Sequence, residues 1–216
     1  KSIIMKNRLL FTAFLFTQLS FSQSQPNDLA ATIGVTTIPN FDDQGIGFDL
    51  SVRYYFTDAF SLGGNFYTAS PKFNHGFGYD TDRTLINMYA LNVPLQYDVI
   101  NTKKFTMAFG FANGILVNVL RNRNETTEEE YWDTDTGIGT TWNVPKKIKT
   151  DVYYLLTPYT EASYKLLTLD KEDFTSMYIT AKAGYQNAFG NGFYSKPNDF
   201  RNYIVSLGIT IKGTTD

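Results

Sequence analysis

From Gly45 to Thr57 every even position is apolar: Ile46, Phe48, Leu50, Val52, Tyr54 and Phe56. The odd positions are Gly47, Asp49, Ser51, Arg53, Tyr55 and Thr57. A period of two sustained over this length is a β-strand with two chemically distinct faces. Ordinary strands average about five or six residues, whereas a tilted strand that crosses a bilayer needs about 9–11. The pattern therefore asks for a long, two-sided sheet, and it recurs along the chain. Phe60, Leu62, Gly64 and Phe66 follow a tight turn at Thr57-Asp58-Ala59. Leu85, Tyr89, Leu91, Val93, Leu95, Tyr97 and Val99 share one face of the next long strand. Phe105, Met107, Phe109, Phe111, Ile115, Val117 and Val119 share a face of its successor. Further strands are read over 151–166, 174–188 and 200–212, and a first one near 28–38 with Leu29, Ala31, Ile33 and Val35 on one face. Eight strands, an even number, fit closure as an up-and-down barrel. Pro94 lies inside a strand, where it cannot donate to the ladder, so a bulge is expected there.

The connections alternate in length. Short turns fall at 57–59, 100–104 and 167–173, and longer loops at 39–44, 70–82, 121–149 and 189–199. In an up-and-down barrel this puts all short turns at one end and all long loops at the other, as in outer-membrane barrels.

Alternation alone does not separate a membrane barrel from a soluble lipocalin-like carrier, which turns its apolar side chains inward. The polar face decides. It carries Ser51, Ser61, Gly63, Asn65, Ala108, Gly110, Ala112, Thr180, Gly184 and Ser206, not the many Lys and Glu of a soluble exterior. Small side chains suit the narrow interior of an eight-stranded barrel. The few charges on that face, Asp49, Arg53, Asp98, Glu161, Lys165 and Lys182, are mixed in sign and can pair across a lumen as an interior polar network. Tyr54, Phe56, Phe60, Tyr97, Phe105, Tyr164 and Phe174 flank the short turns, the position of an aromatic girdle. The expected fold is an all-β, eight-stranded antiparallel up-and-down transmembrane β-barrel with outer-membrane lipid around it.

The N-terminal segment reads as an address. Lys6 and Arg8 precede a run from Leu9 to Phe16 that is apolar apart from Thr12, and small residues follow at Ser20 and Ser22. That is a secretory signal peptide over 1–22, cut after Ser22 or Ser24, with the barrel over 23–216. The run is too short for a membrane-spanning helix. Removing Lys1, Lys6 and Arg8 leaves 16 basic against 21 acidic residues, a net charge of −5. That balance offers nucleic acid no basic footprint. With no Cys and a single His, His75, disulfides, thiolate or multi-histidine metal sites and a cysteine nucleophile are excluded. No cofactor is expected.

Three segments carry a resemblance. Arg53-Tyr54-Tyr55-Phe56-Thr57-Asp58-Ala59-Phe60-Ser61-Leu62-Gly63-Gly64 resembles a strand–turn–strand of the small OmpA/OmpX-like outer-membrane β-barrel proteins of the Bacteroidota type. Ala90-Leu91-Asn92-Val93-Pro94-Leu95-Gln96-Tyr97 and Glu161-Ala162-Ser163-Tyr164-Lys165-Leu166 resemble other strands of that group. The resemblance implies insertion into the outer membrane of a Gram-negative bacterium by the barrel-assembly machinery. Such barrels often end on an aromatic residue, whereas here Ile211 is followed by Lys212-Gly213-Thr214-Thr215-Asp216.

Candidate chemistry is sparse. His75 lies near Ser70, Asp80 and Asp82, the residue types of a rim-located acyl hydrolase or transferase, but no spacing sets the base against the nucleophile. The 121–149 loop concentrates Glu125, Glu128, Glu129, Glu130, Asp133 and Asp135 around Tyr131 and Trp132. Asp133-Thr134-Asp135-Thr136-Gly137 lacks the later ligands of a calcium loop, so no metal site is expected. Glu128, Glu129, Glu130, Tyr131, Trp132 and Asp133 are the candidates for contact with an extracellular partner, and a loop this long can form its own hairpin. Eight strands leave no open aqueous pore. The leading expectation is a non-enzymatic surface-presenting barrel; the alternatives are the His75 enzyme and the soluble carrier.

Overall fold

The computed structural model describes residues 24–38, 45–132, 139–170 and 174–214. The signal-peptide reading over 1–22 and the loop at 39–44 lie outside them. The described residues form nine strands: β1 (Asp28–Ile38), β2 (Gly45–Tyr55), β3 (Phe60–Ala69), a two-residue β4 (Lys72–Phe73), β5 (Thr84–Asn101), β6 (Phe105–Trp132), β7 (Gly139–Thr168), β8 (Thr175–Phe189) and β9 (Asn202–Thr214). Every neighbouring pair is antiparallel. β1 pairs with both β2 and β9, and β3 with both β2 and β5, so the ring closes on eight strands with β4 as an added clip on β5. Closure removes the unpaired edges that an open sheet would present.

The two faces separate as the period of two requires. Phe48, Leu50, Leu91, Phe111 and Leu207 stand exposed on the outside, whereas Asp49, Arg53, Asn65, Asn92 and Glu161 are buried. Phe48 is 65 % exposed and Asp49 only 2 %. A soluble carrier would need the reverse. Outside, Tyr164 and Tyr154 on β7 mark the two ends of the apolar band. Ten residues of strand at about 3.3 Å each, tilted by about 40°, span about 25 Å, the height of the apolar band of a membrane barrel. Phe56, Phe60 and Tyr97 stack near the short turns, with ring centroids 6.0 and 4.7 Å apart.

Of the two readings of 121–149, a solvated loop or a hairpin of its own, the described residues bear out the hairpin: β6 and β7 run on as two paired strands, with Thr127 opposite Val144 and Glu130 opposite Thr141. Two expectations are corrected. Pro94 makes no bulge. It sits in register opposite Ala112 on β6, and no pairing is recorded between Gly63–Gly64 of β3 and residues 93–94 of β5, so no donor is demanded of it there. The register shift in β5 comes instead between Asp98 and Ile100. Finally, the lumen is not small and polar throughout. Toward the long-loop end it holds Ile86, Met88, Leu116, Leu120, Tyr153 and Leu155, all essentially inaccessible.

Candidate functional site

The short-turn half of the lumen is an ionic network. Its members point inward because they occupy the parity opposite the apolar face on strands that pair around the ring. Arg53 on β2 reaches across to Glu161 on β7 with two parallel bonds, Nη2 to Oε1 at 2.7 Å and Nη1 to Oε2 at 2.8 Å. This forked geometry matches a planar guanidinium to a carboxylate. Gln96 Oε1 accepts from Arg53 and from the Tyr159 hydroxyl, and Gln96 Nε2 donates to Asp98 at 3.0 Å. Asp49 is held by Lys182 at 2.5 Å and accepts from Asn65 Nδ2 and Ser206 Oγ, each at 2.6 Å. At the mouth, Lys212 donates to Ser24, stands 3.8 Å from Asp28 and lies 4.1 Å above the Tyr55 ring; Ser24 Oγ also donates to Asp98. Burying these charges singly would cost several kcal/mol each, so pairing and hydrogen bonding are what make them tolerable.

Of the charges read from the sequence, Asp49, Arg53, Asp98, Glu161 and Lys182 come together here. Lys165 lies nearer the short turn than these five. It is half-buried at the short-turn end of β7, where the register slips between Lys165 and Leu167. Gln96, Asp28 and Lys212 were missed. Inward parity was the available signal, since 28, 96 and 212 all fall on the lumen side of their strands. Gly110, also inward, is a glycine for a steric reason: a Cβ there would run into the Tyr159 ring.

The long-loop half is closed by packing. Phe73, Phe77, Tyr194 and Phe200 descend from the 70–83 and 190–201 segments onto the apolar cluster. Phe77 meets Phe73 and Tyr194 edge-on at 5.1 and 5.8 Å. The second segment is tied by one carboxylate. Asp151, 2 % exposed, accepts from the Phe193 and Tyr194 backbone N–H groups at 2.8 and 3.2 Å, from Ser195 Oγ at 3.2 Å and from the Tyr153 hydroxyl at 3.2 Å. A Cβ at Gly192 would collide with both Tyr153 and Asp151, so this loop can approach β7 only with glycine there. Tyr194 donates to Asn118 O at 3.2 Å, and burial pushes its phenol well above the usual range. Asp151 was not singled out in the sequence, although it too is a charge at inward parity.

His75 is not brought to a nucleophile among the described residues. Its ring packs between Phe73 and Phe77 at 5.4 and 4.2 Å, Ser70 Oγ donates to Asn87, and Asp82 accepts from Asn124.

The hairpin stands above the rim. β5 ends its ladder at Thr84 opposite Asn122, and β8 ends at Phe189 opposite Tyr154; one further backbone bond, Arg123 N–H to Arg83 O at 3.0 Å, ties the hairpin's base before its strands pair with each other. The hairpin is offset from the barrel by shifts between Leu120 and Arg121 and between Asn122 and Thr126. Arg121–Glu129 at 3.1 Å and Lys146–Glu125 at 2.7 Å bridge its base. Glu128, Glu129 and Glu130 are exposed. Cross-strand pairing sets Glu129 opposite Trp142, a residue the sequence reading overlooked and 64 % exposed. Tyr131 and Trp132 are paired through their backbones with Thr140 and Gly139, and Asp133 lies outside the described residues.

No protein-family model and no curated protein matches the sequence. Solved structures do. Neisserial surface protein A is similar over 87 % of this chain and 96 % of its own, with 10 % identity and a TM-score of 0.51. Ail, the attachment invasion locus protein of Yersinia pestis, is similar over 87 % and 99 %, with 13 % identity and a TM-score of 0.49. At this identity the match to the neisserial protein establishes the fold, the eight-stranded barrel of outer-membrane proteins.

Proposed function

We propose that the chain is an integral outer-membrane β-barrel of a Gram-negative bacterium that presents a rigid hairpin to the exterior and conducts nothing. The observation that carries this reading is the inversion of faces. A closed wall turns large apolar side chains outward and keeps its charges inside, paired. Only hydrocarbon makes such an exterior favourable, and only closed pairing satisfies a backbone within it. The packed upper lumen and the ion-paired lower lumen support the reading that nothing is conducted. The hairpin supports a surface-interaction role: seven cross-strand pairs, Thr126–Pro145 to Trp132–Gly139, project past the rim, a reach of about 23 Å, with carboxylates and Trp142 displayed. Outer-membrane lipid is the barrel's first partner, the barrel-assembly machinery its route in, and the extracellular partner is a protein or glycan met by the hairpin. Among the described residues no nucleophile is set against His75.

Fractionation followed by protease shaving of intact cells tests the reading. The detergent-extracted band should shift mobility on boiling, and protease should cut between residues 123 and 147 while the barrel survives. Recovery in the soluble periplasmic fraction, or a hairpin cut only after lysis, overturns it.

A further inference from the structure

Ahead of β1 the chain does not run straight out of the barrel. Gln25-Pro26-Asn27-Asp28 forms a reverse turn: Asp28 N–H donates to Gln25 O at 3.1 Å, Gln25 N–H donates to Asp28 Oδ2 at 2.9 Å, and Asn27 holds a φ of 77°. Proline at the second position of a turn and asparagine at the third, with positive φ, are the choices of a type II turn. The turn is pinned to the rim, Asn27 N–H to Tyr55 O at 2.8 Å and the Tyr54 hydroxyl to Asn27 Oδ1 at 2.6 Å. It sends Ser24 back over the short-turn mouth of the lumen, where the residue is wholly buried. Ser24 N–H donates to Asn101 Oδ1 at 3.3 Å, its Oγ donates to Asp98 Oδ2 at 3.1 Å, and Lys212 Nζ donates to the same Oγ. Asp98 and Asn101 belong to β5 and Lys212 to β9, and these strands stand four places apart in the ring of eight, on opposite walls. One serine therefore spans the mouth. Directly inside it, Asp98 continues through Gln96 to Arg53 and Glu161.

We infer that the N-terminal leader is cut between Ser22 and Gln23, and that Ser24 of the shortened chain then closes the short-turn mouth as a stopper between β5 and β9. Small residues two apart precede either candidate bond, Ser20 and Ser22 before the first, Ser22 and Ser24 before the second, so the sequence admits both. The fold separates them. A cut after Ser24 removes the residue that spans the mouth and leaves Asp98 and Lys212, 5 % and 8 % exposed, each short of a hydrogen bond. A cut after Ser22 keeps that residue and leaves only Gln23 ahead of it, whereas an uncut leader would carry Lys6, Arg8 and the apolar run out past the same mouth. In the cut, a leader peptidase adds water across the Ser22–Gln23 amide; the carboxylate stays with the leader and the protonated amine with Gln23. The inference rests on the leader and membrane readings above, and its test keeps them apart.

The full-length chain is expressed with its leader in a Gram-negative host, and the barrel is extracted from the outer membrane in detergent for intact-mass measurement. It should begin at Gln23, free or cyclised by loss of ammonia. Any other first residue overturns the cut. The chain has no cysteine, so S24C and Q25C report the stopper without background. In unboiled barrels a water-soluble maleimide should label S24C about tenfold more slowly than Q25C, whose position is exposed, and boiling should erase the difference. Equal rates before boiling overturn the stopper. If S24C does not fold, amine acylation replaces it. Lys212 of the wild type should stay protected beside the exposed Lys103 and Lys104, and S24G should speed its acylation severalfold. An unchanged rate in S24G overturns the stopper. Recovery of the chain in the soluble fraction with no heat-dependent mobility shift overturns the membrane reading; a heat-shifting barrel that begins at Gln25 overturns only the cut and the stopper.

Discussion

The two halves of the lumen solve one packing problem by opposite means. Near the short turns the interior is filled with Arg53, Glu161, Gln96, Asp49 and Lys182, joined by charge-assisted hydrogen bonds. Near the long loops it is filled with Ile86, Leu116, Leu120, Tyr153 and Phe200, which touch as a globular core does. The difference tracks what each half must contain. The wall around the lower half is bounded by short turns that have nothing to insert, so long polar side chains must reach one another across the barrel. The upper half receives side chains from two loops, and apolar packing lets those loops seat without leaving donors unpaired. A membrane barrel thus combines an ionic interior with a hydrophobic core stacked above it, inside a hydrophobic coat.

The comparison breaks most visibly at Arg53 and Glu161. Replacing either alone by a neutral residue strands the other charge in the lumen and should cost about 3–5 kcal/mol. R53M/E161M, which removes both, should recover much of that loss. Urea unfolding of the refolded protein in detergent, read as the heat-dependent mobility shift, measures it. A double variant no better than the singles would mean that Gln96, Tyr159 and their neighbours, not the ion pair, dominate the lower half.

The upper half should answer to volume instead of charge. L116A opens a cavity in a fully buried cluster and should cost about 2–5 kcal/mol. L91A, on the lipid face and 59 % exposed, has acyl chains to fill its place and should cost far less by the same assay. Equal losses would argue that the upper lumen is loosely packed.

Asp151 ties the loop to that core. D151N keeps the shape but weakens four hydrogen bonds, and a loss of about 1–3 kcal/mol in loop docking is expected, with the wall intact. The readout is protease cleavage near Lys196 in folded, unboiled protein. Unchanged resistance would shift the credit to Tyr194 and Phe200.

The wall was legible because the alternation that defines it is strict: Ile46 to Phe56 cannot be threaded with the faces exchanged without exposing Asp49 and Arg53 to lipid. The two-part lumen was hidden by the same feature. Ile86, Met88, Leu116 and Leu120 share the parity of the polar side chains, although Ile115-Leu116-Val117 and Val152-Tyr153-Tyr154-Leu155-Leu156 are apolar on both faces, the mark of strands covered on both. Arg53 and Glu161 could be named as inward, but not as partners, since 108 residues separate them and only ring closure sets their distance. Asp151 gave no signal of its function, because its partners are the backbone N–H groups of a loop whose path no periodicity describes.

The smallest expected effect bears on whether the two halves also differ in hydration. Arg53 Nε and Thr157 Oγ1 are buried without a partner among the described residues. Both residues line a cavity of about 30 Å³ bordered by Tyr159, Glu161 and Lys182. A buried polar atom that is left bare costs about 1–3 kcal/mol, and a site of this size with several polar neighbours has room for a water. T157V replaces the hydroxyl by a methyl of nearly the same shape, so the sign of its effect reports what the hydroxyl touches. If water bridges Thr157 to Arg53, the variant should lose about 1 kcal/mol in urea unfolding. If the cavity is dry, removing an unpaired hydroxyl should leave stability equal or raise it. We expect the loss, because the ionic half depends on every lone pair and proton finding a partner, and here the wall supplies too few.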